Sequence, residues 1–224
     1  EASVTHSDKV GCGAEDMEKE GLAWVLNKVV IDMAGYPRYD EEIELRTWHR
    51  KTRAFFAYRD YELHVGSEKL FSLTSLWLLL KKNEESGEKK IIKIPESITL
   101  KYEMEDKQAT DLDIDSFKTD FKCPSIFSTE ITVRSTDFDP IGHVNNSIYL
   151  DYLETLLNEF PENLPQIKRL VLSYLAEISP EVRKVRMDLG KEDSSYRFRV
   201  SSREKTFASG IFWLAEPGDS GCTP

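Results

Sequence analysis

The polar stretch Asp137–Asn146 constrains the fold more than any other part of the chain, because it packs two carboxylates, an imidazole and two carboxamides into ten residues. Pro140 and Gly142 predict a turn in its middle, and residues 149–160 carry apolar side chains at the spacing of an amphipathic helix. The first N–H groups of a helix have no partners within it, so a turn that feeds a helix can stabilise negative charge. The stretch therefore predicts a functional site at the start of a helix.

Each polar residue of this stretch also has a purely structural interpretation. Asp137 and Asp139 are suited to turn hydrogen bonds, and Asn145 or Asn146 to capping the helix. A single histidine such as His143 is more often structural than catalytic. The combination of these residues at one helix start is what favours a site.

Composition excludes several classes of protein. A chain of 224 residues allows one large or two small domains, and a net charge of -10 argues against nucleic-acid binding, which needs clusters of basic residues. Cys12, Cys123 and Cys222 are odd in number and form no Cys-x-x-Cys pair, so we expect no disulfide framework, no metal site and a cytoplasmic location. The longest apolar run, Leu76–Leu80, is far shorter than the roughly 20 residues of a membrane helix, and the polar first ten residues predict no signal peptide.

The predicted elements form two similar halves, each a helix followed by four or five antiparallel strands. The first helix begins at Asp16 and carries Met17, Gly21, Trp24 and Val25 on one face. After the second helix, strands are predicted at Lys168–Ile178, Val182–Leu189, Ser195–Val200 and Thr206–Leu214.

These halves give four segments. Residues 1–102 form the N-terminal half, and 103–120, rich in aspartate and glutamate, form an exposed acidic connector, with a surface helix as the alternative. Residues 121–214 form the C-terminal half and 215–224 a tail.

The pattern Asp-x-Asp-Pro-x-Gly-His-Val-Asn-Asn-x-x-Tyr, ending at Tyr149, resembles the signature of hot-dog-fold thioesterases. The first half is similar to the N-terminal half of acyl-acyl-carrier-protein thioesterases, which end fatty-acid synthesis. The likeness covers about residues 10–214 and implies an α+β protein of two tandem hot-dog folds, each a long helix wrapped by an antiparallel sheet. Members of that family usually have a strand before the position that matches the first residues of this sequence. The matching segments of the first half are Leu22–Val25, Tyr36–Pro37, Glu44–Trp48, Arg59–Tyr61 and Ser75–Trp77.

The resemblance implies that the second half is catalytic and the first shapes the acyl pocket. It puts Asp139, His143 and Glu177 on the family's catalytic positions. Our hypothesis is that Glu177 is the base that takes a proton from water, while Asp139 and His143 orient the water and the carbonyl. Because Glu177 follows Leu175 and Ala176, apolar neighbours predict a desolvated carboxylate; a glutamate reaching solvent at a strand end is the alternative.

Two further positions complete the predicted chemistry. The family usually has asparagine where this chain has Ile141. Three alternatives stay open: Asn145 or a backbone group replaces that amide, turnover is slower, or the resemblance misplaces the loop. The N–H of Gly142 and its neighbours are expected to hold the oxyanion. A cysteine nucleophile is disfavoured because no cysteine lies near the motif, although a distant Cys123 stays open. We expect direct hydrolysis without a cofactor.

The expected partner is an acyl carrier protein bearing a fatty acyl thioester; a membrane partner is not expected, and a homodimer stays open. Because carrier protein and enzyme are both acidic, a local basic patch is expected, with solvated strand faces as the alternative. The residues expected to form this basic patch are Arg183, Lys184, Arg186, Arg197, Arg199 and Arg203. Aromatic residues expected to line the acyl tunnel, or else to be ordinary core, are Trp24, Trp48, Phe55, Phe56, Phe71 and Trp77.

Three other functions stay open at this point: a hot-dog acyl-CoA thioesterase, an enoyl-thioester hydratase, and an acyl-binding protein without catalysis. The hydratases usually carry Asn-Pro where this chain has Ile141-Gly142. Neither a helix-turn-helix pattern nor a basic arm accompanies the motif, which weakens a transcriptional sensor.

Overall fold

The computed structural model describes residues 2–203 and 205–216. The chain divides into two compact units, with the boundary between Asp115 and Ser116, inside the predicted acidic connector. Most of the predicted tail, residues 217–224 with Cys222, lies outside the described residues.

Unit 1 is an antiparallel sheet with short helices. Its strands follow the order β2-β3-β4-β1, and β5 pairs with β4. Its helices have eight, six and four residues, shorter than the resemblance implies for this half. The elements are α1 (Ala2–Lys9), α2 (Ala14–Lys19), β1 (Leu22–Met33), β2 (Ile43–Arg53), β3 (Phe56–Val65), β4 (Glu68–Lys82), β5 (Lys89–Ile92) and α3 (Glu96–Thr99).

The helix predicted to carry Trp24 and Val25 ends earlier than expected. Gly21 lies two residues after the last residue of α2 and adopts a left-handed conformation with φ of 68°, in which an L side chain is disfavoured. Trp24 and Val25 belong instead to β1, where aromatic and β-branched side chains fit a pleated sheet. The prediction of this helix is wrong because the apolar spacing continues across Gly21, whereas the helix does not.

Unit 2 pairs one longer helix with a five-stranded antiparallel sheet of order β7-β10-β9-β8-β6. The predicted second helix is confirmed, and it buries Tyr149, Tyr152, Leu153 and Leu156. The elements are β6 (Ser125–Thr132), α4 (Ile148–Glu159), β7 (Ile167–Tyr174), β8 (Lys184–Glu192), β9 (Ser195–Ser202) and β10 (Lys205–Leu214), with a 3₁₀ turn at Ser135–Asp137.

Most residues of the acidic connector are exposed, but its part in unit 1 also packs on that unit's sheet. Trp48 Nε1 donates to the carbonyl of Lys107 at 2.7 Å, and the Ala109 N–H donates to Asp60 Oδ1 at 2.9 Å. Ile114 is buried. The acidic side chains face solvent, but the backbone between them satisfies polar groups on the sheet, and no helix forms there.

In the part of the chain that the structure describes, no helix combines the length and the apolar character needed to cross a membrane.

Candidate active site

Residues 137–145 fold into a closed loop that leads into α4. The Asn145 N–H donates to the Asp137 carbonyl at 2.9 Å, and the Asp139 N–H donates to the His143 carbonyl at 2.9 Å. At the tip, Gly142 has φ of 88°, and its N–H donates to the Asp139 carbonyl at 3.0 Å. The predicted turn is therefore present, and it holds Asp139 and His143 on one narrow loop.

Asp139 fixes the tip of this loop with one carboxylate oxygen. Its Oδ1 accepts from the N–H of Ile141 at 2.9 Å and from that of His143 at 3.3 Å. Its Oδ2 accepts no hydrogen bond from the described residues. The half-buried side chain thus fits the turn interpretation and keeps one oxygen available to a water molecule or a substrate.

Asp137 anchors the base of the loop. It is 1% exposed, and its carboxylate accepts from Arg134 Nε at 2.9 Å and from the Tyr152 hydroxyl at 2.8 Å. Burial and this hydrogen bond raise the pKa of Tyr152. The structural interpretation holds for Asp137, which ties the loop to α4.

His143 contacts Glu177, 34 residues further along the chain. Nε2 of His143 lies 2.9 Å from Oε2 of Glu177, and the two side chains are 27% and 48% exposed. Two features hold the segments together: the Val144 N–H donates to the Ile178 carbonyl at 3.2 Å, and the Ile178 side chain is fully buried. The structure thus brings Asp139, His143 and Glu177 into one region of unit 2.

Glu177 is not desolvated as the sequence predicts. Strand β7 ends at Tyr174, and the N–H groups of Leu175 and Ala176 both donate to the Phe207 carbonyl, so the chain leaves the regular strand before Glu177. Leu175 is 55% exposed and provides no apolar cover. The alternative, a glutamate that reaches solvent at a strand end, describes this residue.

Gly142 and Asn145, the other predicted site residues, already make hydrogen bonds to neighbouring residues. The Gly142 N–H is engaged within the turn, so its oxyanion role stays a prediction that requires the turn to loosen. Asn145 Oδ1 accepts from both the N–H and the hydroxyl of Ser147 at 3.0 Å, while its amide nitrogen donates to none of the described residues. Ile141 is 75% exposed at the loop tip.

Two tyrosines for which the sequence suggested no role lie near Glu177: Tyr149 interacts with its charge, and Tyr174 packs against Tyr149. Tyr149 is 2% exposed, and burial together with the charge of Glu177 raises its pKa. Its ring packs edge-on against Tyr174 at 5.2 Å, and the Tyr174 hydroxyl donates to the Asn146 carbonyl at 3.0 Å. The sequence could have indicated a role for Tyr149, because this residue is the last position of the motif that contains Asp139 and His143.

Most of the predicted basic patch is engaged in ion pairs. Arg186 Nε and Arg199 Nη2 donate to opposite oxygens of Asp188, at 2.8 and 2.7 Å. Burial raises the pKa of Asp188, but hydrogen bonds from Ser128, Arg199 and Arg186 outweigh it and hold that pKa below its ordinary value.

The remaining members of the patch differ. Arg197 pairs with Glu192, and Lys184 lies 3.3 Å from Glu130. Arg183, in contrast, makes no ion pair with the described residues. Most cations of the predicted patch are therefore already paired with a carboxylate of this chain.

Cys123 lies far from the pair in the fold. Its sulfur lies against Gly190 near the end of β8. The backbone carbonyl of Arg183, just before that strand begins, accepts from the N–H of Val133, close to the loop of residues 137–145. The strand separates the two ends by about 20 Å. Among the described residues, no three histidine, cysteine, aspartate or glutamate side chains are grouped to hold a metal ion.

The aromatic residues of unit 1 have mixed environments. Trp48 is buried, Phe55 is 44% exposed, and the Trp77 indole donates to Ser75 Oγ at 2.8 Å. Phe71 lines an apolar cavity of about 170 Å³ with Met33, Tyr36, Leu63 and Leu70. Their role in an acyl tunnel stays a prediction.

Comparison with curated proteins finds relatives of this chain. An acyl-[acyl-carrier-protein] hydrolase, FATB3, from Cuphea viscosissima, named as chloroplastic, is 28% identical over 165 residues, which are 68% of this chain and 39% of that protein. The chain thus spans about two fifths of the length of this curated relative.

Solved structures share the fold. The 12:0-ACP thioesterase from Umbellularia californica aligns with a TM-score of 0.78 at 21% identity, over 95% of this chain and 85% of that one. An acyl-ACP thioesterase from Bacteroides thetaiotaomicron aligns with a TM-score of 0.76 at 16% identity, over 94% and 84%. These likenesses confirm the α+β hot-dog architecture.

Family models settle the affiliation. The acyl-ACP thioesterase N-terminal domain matches residues 1–102, and the acyl-ACP thioesterase C-terminal domain matches residues 122–206. Together they cover most of the sequence, and in the expected order. The chain belongs to the acyl-ACP thioesterase family.

Proposed function

We propose that this protein hydrolyses the thioester of fatty acyl-acyl carrier protein and releases free fatty acid, which ends chain elongation. The observation that carries the proposal is the 2.9 Å contact between His143 and Glu177, on segments held together by the Val144–Ile178 hydrogen bond. In this proposal, residues 121–214 carry the chemistry and residues 1–102 shape the acyl pocket. The name of the Cuphea relative supports the substrate class.

The reaction needs a base for water, and Glu177 takes this role. Its exposed carboxylate is accessible to water, and its contact with His143 orients it. The water oxygen attacks the carbonyl carbon while its proton passes to Glu177, so a C–O bond forms and the carbonyl oxygen becomes an oxyanion. When the intermediate collapses, the C–S bond breaks and the leaving thiolate takes the proton from Glu177.

Asp139 and Asn145 position and stabilise the reacting groups. Asp139 Oδ2 is available to hold the water, because Oδ1 is committed to the loop backbone. The amide nitrogen of Asn145 is a donor for the oxyanion, since its oxygen is already engaged with Ser147. Asn145 thereby takes over the amide that the family has at the position of Ile141.

The carrier-protein partner and the compartment are part of the same proposal. Within the basic patch we assign the contact with an acidic carrier protein to Arg183, which makes no ion pair with the described residues, although a hydrogen bond from Ser179 and, to a smaller extent, the charge of Arg183 lower the pKa of the exposed carboxylate of Glu181. A reducing compartment fits the free thiols of Cys12 and Cys123, and we place the protein in the cytoplasm.

The direct test supplies purified protein with acyl-carrier-protein and acyl-CoA thioesters and follows free thiol. Thiol release supports hydrolysis, enoyl loss without thiol indicates a hydratase, and binding alone indicates a sensor.

In the same assay, Asp139→Asn should reduce hydrolysis by about tenfold or more, because the water loses its ionised partner. Asp151→Asn, at an exposed carboxylate on α4, is the matched control and should leave the rate unchanged. Undiminished thiol release by Asp139→Asn would remove this mechanism.

A further inference from the structure

Two buried arginines of unit 1 differ in their partners. Arg50 is 8% exposed, and its Nε donates to Asp60 Oδ2 at 3.0 Å. Arg59, on the next strand, is 6% exposed, yet no carboxylate of residues 2–203 and 205–216 lies within ion-pair distance of it. Burying an unpaired charge costs several kcal/mol, so Arg59 lacks the compensation that Arg50 has.

The groups around Arg59 are uncharged. Its Nη1 donates to His6 Nδ1 at 2.9 Å and to Thr47 Oγ1 at 3.3 Å, and its guanidinium carbon lies 5.6 Å from the centre of the Tyr102 ring. Because His6 Nδ1 accepts this bond, the imidazole is neutral. His49, paired with Arg59 across β2 and β3, is also neutral near pH 7, since burial and the charge of Arg59 lower its pKa to about 4.

One edge of the guanidinium is unused. Its Nε and Nη2 groups donate to none of the described residues, and neither is fully shut off from solvent. This edge presents two parallel N–H donors, which is the geometry that binds a carboxylate or a phosphate group through both oxygens.

In Arg46, the same Nε–Nη2 edge binds a carboxylate of this chain. Its Nε and Nη2 each donate to one oxygen of Glu44, both at 2.9 Å. Arg46 is exposed and has this carboxylate, whereas Arg59 is buried and has none. The contrast identifies Arg59 as the arginine with capacity for an external anion.

We propose that Arg59 binds a small oxyanion, a carboxylate or a phosphate group, through its Nε–Nη2 edge, at a site between α1, β2 and β3 beside His6 and Thr47. This site lies within unit 1 and is independent of the His143–Glu177 pair.

Binding should tighten as pH falls. Burial, Arg59 and Lys9 all lower the pKa of His6, while His49 and Tyr102 are its uncharged neighbours. A bound anion offsets the charge of Arg59, raises the pKa of His6 and so favours uptake of a proton there. Linkage then requires the protonated protein to bind the anion more tightly.

The test follows the arginine Nε–H resonances of the wild-type protein by NMR during titration with sodium phosphate and, separately, sodium acetate, with chloride adjusted to constant ionic strength. We expect a saturable shift of the Arg59 resonance and none of the Arg46 resonance. Arg59→Lys, which keeps the charge but loses the fork, should weaken binding about tenfold, and Arg46→Lys should leave it unchanged.

The two anions distinguish the source of the ligand. A response to both supports a general oxyanion site, while a response to only one assigns a phosphate group or a carboxylate. If neither anion shifts the Arg59 resonance saturably, or if Arg46 responds equally, the proposal is overturned. The main measurement uses the wild-type protein, so the result stands even if Arg59→Lys fails to fold.

Discussion

Two carboxylates, Asp60 in unit 1 and Glu177 in unit 2, show how differently the units use polar side chains. Asp60 is fully buried and accepts from Arg50 Nε at 3.0 Å, Thr74 Oγ1 at 2.6 Å and the Ala109 N–H at 2.9 Å. Glu177 is 48% exposed, and its described contact is with His143. A saturated, buried carboxylate stabilises a fold, whereas an exposed one with spare acceptor capacity is available for chemistry.

The same contrast extends along both sheets. In unit 1, polar side chains such as Glu62 and Asp60 hold β3 to the connector that packs on it. In unit 2, the polar motif lies in a loop before α4, and Asp137 alone is buried to anchor it. Substitutions in the first network should therefore reduce stability, and those in the second should reduce activity.

The largest expected effect is on stability, from Asp60→Ala. Removing this carboxylate leaves Arg50 buried without its partner, which should lower the free energy of unfolding by about 3–5 kcal/mol. Urea unfolding measures the change. Asp151→Ala, at an exposed position on α4, is the control and should change stability by less than about 0.5 kcal/mol.

A pH-dependent loss of stability should come from His49. Its pKa is about 4 in the folded protein and 6.5 when exposed, so between these values the unfolded chain binds a proton that the folded protein does not. Stability is therefore fully present above pH 6.5 and falls by about 3 kcal/mol as pH drops to 4. The free energy of unfolding, measured across this pH range, should vary less steeply with pH for His49→Gln than for wild type. Equal slopes would contradict the assignment to His49.

Glu177→Gln should separate activity from stability. The variant keeps the size of the side chain but loses the base, so kcat for an acyl thioester should fall about 100-fold. Because the side chain is half exposed, the free energy of unfolding should change by less than about 1 kcal/mol. A variant that lost stability but kept its rate would place Glu177 with Asp60 as a structural carboxylate.

The smallest effect should distinguish unpaired from paired cations in unit 2. Arg183→Glu should raise KM for an acyl carrier protein by about threefold to tenfold and leave a small thioester unaffected. Arg186→Glu should affect the carrier protein less and stability more, because Arg186 is engaged with Asp188. Equal KM values for both variants would show that pairing does not decide which cations meet the partner.

Local patterns predicted the structure correctly at α4 and at the turn before it. The apolar spacing of residues 149–160 predicted α4, and Pro140 with Gly142 predicted the turn in residues 137–145, because helix periodicity and turn geometry depend on neighbouring residues. The same reasoning failed at Trp24, where Gly21 ended α2 and pairing with β4 favoured a strand. Pairing of strands is a long-range contact that spacing alone does not reveal.

By itself, the sequence indicated the family, the helix α4 with the turn before it, and the residues for which the chemistry is proposed, since motif and periodicity are local properties of the chain. Only the tertiary structure decided that Glu177 is exposed, that it contacts His143, and that Arg59 is buried without a carboxylate. Exposure and ion pairing depend on which distant segments pack together, and residues far apart in the chain meet only after folding.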